Sequence, residues 1–359
     1  MSSGGLLQLV AYGYQDIYIS GSPQKTFFRI LYKRHTYFAM ESMEQSFKGN
    51  ADFGRKVTCL VARNGDLIHK AYLEIDLPAL TANSGETVAW TRNIGHVLIS
   101  EISVEIGGAI IDKHYSNWLT IYNELMQVAE KEDGLNVLIG NTAALTTPAA
   151  TIPAAEIYVP LVFRFNRNPG LALPMIALMY HDVKINISFR PAVECYLYGE
   201  ESYWNASIVQ KLNFSHPTKE LIRVIRPDAN FVGGVNRWMD FTDNGTGPNL
   251  YAGNDPLVDA KIQLNTHDRI ITRAAAYFNL LQSYYHHTRC PSTGIYIYSF
   301  ALEPEKHQAS GSINMSRIEG VNLKMTLSTG TSPVRVYLYA VNDNVLRITS
   351  GMGGLAYAN

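Results

Sequence analysis

Charge, sulfur and long apolar runs are all scarce in this chain, and each shortage closes a class of function. Asp, Glu, Lys and Arg make up only 17% of its 359 residues, with a net charge of −1, so the cationic footprint of a general nucleic-acid binder is missing. Its three cysteines, Cys59, Cys195 and Cys290, are odd in number, and no C-x-x-C spacing occurs. That argues against a disulfide framework or a thiolate zinc site and fits a reducing compartment. The longest apolar stretch, Leu171 to Tyr180, contains Pro174 and falls far short of the ~20 residues a membrane-spanning helix needs. No basic cluster opens the sequence, and Ser2 rather than glycine follows Met1. Neither a secretory signal nor N-myristoylation is expected, and the chain reads as soluble and cytosolic in origin.

Catalytic signatures are just as scarce. Metal-dependent jelly-roll enzymes need His-x-His or His-x-Asp/Glu, so that one strand aims two ligands inward. None of the ten histidines has His, Asp or Glu two positions on. His181-Asp182 and His267-Asp268 read as polar strand-end residues. His286-His287 is the most conspicuous polar pair, but neighbours on a strand face opposite ways and could not share one ion. One ring is expected as a partly buried, satisfied group and the other in a loop or interface. No Gly-x-Ser-x-Gly and no P-loop occurs, and the Gly-rich Ser350 to Gly354 ends the chain without a following helix. It reads as a packed or flexible turn. No catalytic residue, cofactor or metal is therefore expected. The five Asn-x-Ser/Thr sequons, at Asn186, Asn205, Asn213, Asn244 and Asn314, read as chance matches without a signal peptide.

What is present is strand. From Asp182 to Arg190, Val183, Ile185, Ile187 and Phe189 alternate with Lys184, Asn186, Ser188 and Arg190, so one face enters a core and the other does not. The pattern recurs at Ile102 to Ile106, Val321 to Leu327 and Val334 to Ala340. Further candidates are Gln15 to Ser20, Thr26 to Leu31, Ile208 to Phe214, Leu221 to Arg226, Asp259 to Leu264 and Ile295 to Phe300. Asn64-Gly65 predicts a hairpin between Val57 to Ala62 and Leu67 to Asp76, and Gly107-Gly108 predicts a turn into Ala109 to Asp112. One helix is predicted from Trp118, Ile121, Tyr122, Leu125 and Ala129, with Asp133-Gly134 as its stop. Asn141 to Ala155 and Asp240 to Pro256 read as long outward loops. The length suggests two domains, with a boundary near Gly199 to Ala206. Helices are too few for a βαβ plan, so the fold class is all-β, two sandwiches or jelly rolls.

Longer phrases carry a resemblance. They are Gly4 to Arg29 (GGLLQLVAYGYQDIYISGSPQKTFFR), Arg34 to Ser42 (RHTYFAMES), Arg167 to Pro174 (RNPGLALP), Val258 to Asn265 (VDAKIQLN) and His267 to Arg269 (HDR). Tyr277 to Arg289 (YFNLLQSYYHHTR), Gly294 to Gly311 (GIYIYSFALEPEKHQASG) and Asn344 to Tyr357 (NVLRITSGMGGLAY) complete the set. Nearly the whole chain, in order, resembles the major capsid proteins of nucleocytoplasmic large DNA viruses, in the phycodnavirus, iridovirus and mimivirus branch. The resemblance implies a double jelly roll of two tandem eight-stranded rolls with a few short helices in the connections. An N-terminal arm and first roll would fill 1–205 and the second roll 206–359.

The resemblance further implies a structural, non-enzymatic late protein. Three chains would form a pseudo-hexagonal homotrimeric capsomer that tiles the icosahedral shell of the virion. Its partners would be itself, neighbouring capsomers, minor capsid proteins and inner membrane-associated proteins, with no direct nucleic acid and with assembly in the host cytoplasm. Leu6, Leu7, Leu9, Tyr12 and Tyr14 of the arm are the expected contacts beneath the capsomer, or else an edge strand covering the first roll. Family members are often longer and carry an Arg-rich run between the rolls; Pro191 to Ala206 stands in its place and lacks the arginines. Two alternatives to the major subunit follow: a shortened minor capsid paralogue, or a carbohydrate-binding jelly-roll module stacking sugars on Tyr203, Trp204 and Trp238.

Overall fold

The computed structural model describes residues 14–16, 18, 21–22, 36–83, 85–197, 209–212, 214, 216–230, 237–243, 253–265, 267–328 and 333–356. The chain divides into two units, Met1–Glu44 and Gln45–Asn359. In the first, Tyr14–Asp16 is a 3-10 turn rather than the start of a strand, and residues 36–44 are irregular and exposed. The expected Thr26 to Leu31 strand and the Gly199 to Ala206 boundary lie outside the described residues.

In the second unit the Asp182 to Arg190 alternation becomes the strand Val183–Phe189, third of a five-stranded antiparallel sheet. Ile187 lies opposite Val57 on one neighbour and Ile102 on the other. With Val104 and Val183 these residues share a core with Leu73 and Leu77 of Tyr72–Leu77 and with Ile157 and Val159 of Ala155–Pro160. The Gly107-Gly108 turn joins Ile99–Ile106 to Ala109–Tyr115 as expected. Both glycines have positive φ, 58° and 89°, which a two-residue hairpin needs and Cβ-bearing residues resist.

The Asn64-Gly65 hairpin does not form. Lys56–Leu60 pairs with Phe47–Lys48 and Val183–Phe189, whereas Leu67–Ile68 pairs with Leu173–Pro174 and Tyr72–Leu77 with Ala155–Pro160. Gly65 does not take the positive φ such a turn needs; burying each strand on a distant partner outweighs the local turn preference. The predicted helix forms as Ser116–Met126 but stops before Ala129, with Gln127 extended; Asp133 and Gly134 fall inside a second short helix, Glu132–Leu138. The Asn141 to Ala155 segment is not a wholly outward loop. It holds the short helix Ala143–Thr146 and the strand Thr151–Ile152, and buries Leu145 and Ile152.

A second sandwich follows. One sheet orders Val209–Leu212, Val321–Leu327, Leu257–Leu264 and His267–Ala274; the other sets Pro217–Pro227 between Ile295–Ser299 and Val334–Asn342. The Pro217–Pro227 strand is buried on both faces. Leu221 and Ile225 enter the second core with Ile262, Leu323 and Tyr296, while Ile222 and Val224 enter the first core with Ile295 and Ile297. This sheet is thus a shared wall between two cores.

Two further features stitch the halves. Trp118 of the Ser116–Met126 helix contacts Tyr339, ring centroids 5.5 Å apart. The C-terminal hairpin Leu346–Thr349/Met352–Leu355 packs back on the first core, with Gly353 against Leu178 and Ile106 and Gly351 against the Tyr180 ring. The Gly-rich end is accordingly a packed turn.

Candidate assembly surfaces

The segment Tyr277 to His286 begins as a π-helical turn, Tyr277–Leu281, and continues as the α-helix Gln282–His286. Its polarity is inverted. Asn279, Gln282 and Ser283 point inward with Phe278, whereas Leu280, Leu281, Tyr284 and Tyr285 are exposed. The inward polar groups anchor the helix. Asn279 Nδ2 donates to the carbonyls of Ser292 (3.0 Å) and Ile295 (2.8 Å), and Gln282 Oε1 accepts from Ser299 N at 3.1 Å. Helices on globular proteins ordinarily turn their apolar stripe to the core; this one presents apolar side chains outward.

His287 follows as the C-cap, in an extended conformation, so the two histidines are at a helix end, not on a strand. Its buried ring lies between two carboxylates: Nε2 is 2.8 Å from Glu220 Oε2 and Nδ1 is 2.9 Å from Glu305 Oε1. Burial opposes a charge on the ring, but both carboxylates hold the proton, and the pKa is lifted to about 9. Glu305 also accepts from Thr288 N (2.9 Å) and Oγ1 (2.6 Å). Its carboxyl is held below the ordinary value, because these donors and His287 outweigh burial. His286 is half-buried and its Nδ1 is 3.0 Å from the Leu302 carbonyl. The triad thereby fixes the 302–306 turn and the helix end to the shared wall, and exposed Leu302 extends the apolar face.

A second exposed apolar face lies on the first half. Leu67 pairs with Pro174, Ile176 follows two residues on, and Tyr180 N donates to Gly351 O beside Met352. Ile176, Met179, Tyr180, Leu67 and Met352 are all exposed. Arg63, ion-paired with Asp182 at 3.6 Å and bonded to the Met179 carbonyl, borders this face.

At the seam between the halves, Trp238 is held between two guanidinium groups, Arg190 at 4.0 Å and Arg226 at 4.9 Å from the ring centroid. Its Nε1 donates to the Glu194 carbonyl at 2.9 Å, and Arg190 also bonds Glu194 Oε2 (3.1 Å) and Ser116 Oγ (3.0 Å). Arginines outside the Pro191 to Ala206 run thus supply a contact between the halves. Trp238 is not a free sugar platform; Tyr203 and Trp204 lie outside the described residues. Of the arm residues, Leu6, Leu7, Leu9 and Tyr12 also lie outside them, and Tyr14 is exposed in its 3-10 turn.

A polar cleft lined by Arg92, His96, Asn123, Glu124, Glu132 and Arg289 opens near the Ser116–Met126 helix. His96 is buried, with its pKa pushed down to about 3 by burial, and is bonded through both nitrogens to Thr120 and Asn123. It is a satisfied neutral ring. Among the described residues no group of three or more His, Cys, Asp or Glu could hold a metal ion.

Neither the inverted helix nor the triad was among the features expected from the sequence. The signal for the helix was available, since Tyr277, Leu280, Leu281 and Tyr284 recur at helical spacing; nothing in the sequence paired His287 with residues 67 positions before and 18 after it.

Two family descriptions match the chain: "Major capsid protein N-terminus" over residues 26–241 and "Large eukaryotic DNA virus major capsid protein" over residues 197–354. The major capsid protein of Pyramimonas orientalis virus is 42% identical over 421 aligned residues, covering 99% of this chain and 100% of that protein. That of Phaeocystis pouchetii virus is 36% identical over 519, with the same coverage. Both alignments exceed the 359 residues of this chain, so insertions in the relatives account for its shorter length. A solved chain of the PBCV-1 virus capsid superposes with a TM-score of 0.78 at 30% identity, covering 93% of this chain and 100% of that one. The Faustovirus major capsid protein, at 12% identity and a TM-score of 0.62, shares the fold. Two sandwiches on a shared wall, outward apolar faces and these matches along almost the full length lead to one assignment: the chain belongs to the major capsid protein family of large eukaryotic DNA viruses.

Proposed function

We propose that three copies of this structural, non-enzymatic chain form a pseudo-hexagonal capsomer, and that such capsomers tile the outer icosahedral shell of a large double-stranded DNA virus. The observation that carries this reading is the pair of sandwiches about one shared sheet. Two similar wedges per chain, taken three times, make six near-equivalent sectors that a closed ring joins without open ends. The fold division follows as 1–205 for the arm and first roll and 206–359 for the second; separate cores around Ile102 and around Ile262 support it. Residues Leu6, Leu7, Leu9, Tyr12 and Tyr14 are assigned contacts beneath the capsomer. Minor capsid proteins and inner membrane-associated proteins are the further partners, with assembly in the host cytoplasm.

Light scattering on the purified chain, followed by negative-stain imaging of the same peak, tests this. A mass near three times 40.0 kDa with hexagonal outlines is expected. A stable monomer would sink self-trimerisation and favour a shortened minor paralogue that needs an assembly partner.

A further inference from the structure

We propose that the outward face of the 277–286 helix, formed by Leu280, Leu281, Tyr284 and Tyr285 with Leu302, is where a second copy of this chain docks, head to tail, through that copy's Leu67, Ile176, Met179, Tyr180 and Met352. This rests on the self-assembly reading and names the faces that carry it. Size is the first argument. Tyr284 and Tyr285 are 74% and 69% exposed, Leu302 74%, Leu280 52% and Leu281 43%. With roughly 150–250 Å² available to a tyrosine and somewhat less to a leucine, the face offers on the order of 450–700 Å². That reaches the upper end of the largest apolar patch on monomers, about 300–600 Å², and approaches the ~800 Å² per partner of a stable interface.

Chemistry is the second argument. None of the five residues is charged, two are tyrosines, and the Lys306–Glu303 ion pair belongs to the same 302–306 turn. An aromatic, uncharged centre with a polar rim is the composition of a permanent interface. The face is also preorganised. The helix spends its polar side chains on the Ile295–Ser299 strand and its neighbouring turn, and the buried Glu220–His287–Glu305 contact holds the helix end and the Leu302 turn together. Fixing a surface in advance lowers the ordering cost of binding.

The third argument concerns closure. A head-to-tail ring needs two different faces on one chain, and the first half supplies the other. Leu67, Ile176, Met179, Tyr180 and Met352 are 51–74% exposed and uncharged, with the Arg63–Asp182 pair alongside.

The test uses three full-length chains: wild type, Y284E/Y285E, and I176E/Y180E. All four substituted side chains are exposed, and far-UV circular dichroism with a thermal scan checks that each variant is folded. By light scattering, wild type is expected as a trimer and each variant alone as a folded monomer. Mixed one to one, the two variants retain one intact face each and should form a heterodimer that cannot close. A trimeric Y284E/Y285E overturns the proposal, as does a mixture that stays monomeric. A trimer that forms normally but no longer makes larger arrays assigns the face to neighbouring capsomers or another protein, and also overturns it. A monomeric wild type would instead reject the self-trimerisation reading beneath it.

Discussion

Replacing His287 with glutamine removes the cation from between two carboxylates while keeping most of the side-chain volume. Glu220 and His287 side chains are fully buried, and breaking a buried pair by deleting one partner costs about 3–5 kcal/mol. The raised pKa of the ring gives a second figure. A folded pKa of about 9 against 6.5 unfolded corresponds to about 3 kcal/mol in favour of the protonated ring. Because the folded value is raised, this stabilisation is fully present below pH 6.5 and disappears as the pH climbs through 9. Glu305, held below its ordinary value, loses its contribution only on acidification. Tyr122 also faces this region; burial first, and then Glu305, raise its pKa against the lowering effect of Arg167. Calorimetric scans of wild type and H287Q from pH 6 to 10.5 should show the variant melting at least about 4 °C lower at pH 6–7. The gap should close by pH 10, because deprotonated wild type then holds the same uncompensated carboxylates. A gap that is absent at pH 6, or constant across the whole range, would refute the charged triad.

Three other perturbations follow from the packing. Adding a Cβ at Gly294, whose φ is 96°, would bring it within 2.2 Å of the Phe241 carbonyl oxygen; G294A should cost more than about 2 kcal/mol by denaturant titration. W238A empties the space between Arg190 and Arg226 and should cost about 3–5 kcal/mol, with faster hydrogen exchange on both sides of the seam. Cys290 is exposed whereas Cys59 and Cys195 are buried, burial raising the Cys59 thiol and pushing Cys195 up to about 12. A thiol reagent should therefore titrate one group in the native protein and two more on unfolding.

Period-two alternation located Val183–Phe189, Ile99–Ile106, Val321–Leu327 and Val334–Asn342, because each packs a face whose side chains carry the pattern themselves. Pairing was legible only where turn chemistry and burial agreed, as at Gly107-Gly108. At Asn64-Gly65 they conflicted, and distant partners won. The apolar assembly faces stayed hidden for a related reason. In Tyr277 to His286 the apolar and polar positions exchange their ordinary places, so a rule that sends apolar residues to the core misplaces this surface. Whole-length resemblance recovered the function where side-chain chemistry offered no active site to find.

The shared wall poses a problem of register that its charged residues answer. In a strand with one buried face, a slip of one residue throws the apolar set into water and is strongly disfavoured. Pro217–Pro227 is buried on both faces, so a slip would merely exchange Leu221 and Ile225 for Ile222 and Val224, apolar for apolar. Hydrophobicity alone specifies such a strand weakly. Glu220, Arg223 and Arg226 break the degeneracy, because each has a partner at one register only. Glu220 meets His287, Arg223 stacks on Phe278 at 4.3 Å and Tyr296 at 5.1 Å, and Arg226 meets Trp238 and the Tyr337 hydroxyl. Burial pushes the Arg223 pKa down to about 10, still charged at neutral pH, so a slipped strand would strand three charges against apolar neighbours. The cost of burying these groups is thereby turned into specificity for one alignment of the two cores. That alignment also fixes where Glu220 holds His287, and hence where the outward tyrosines stand.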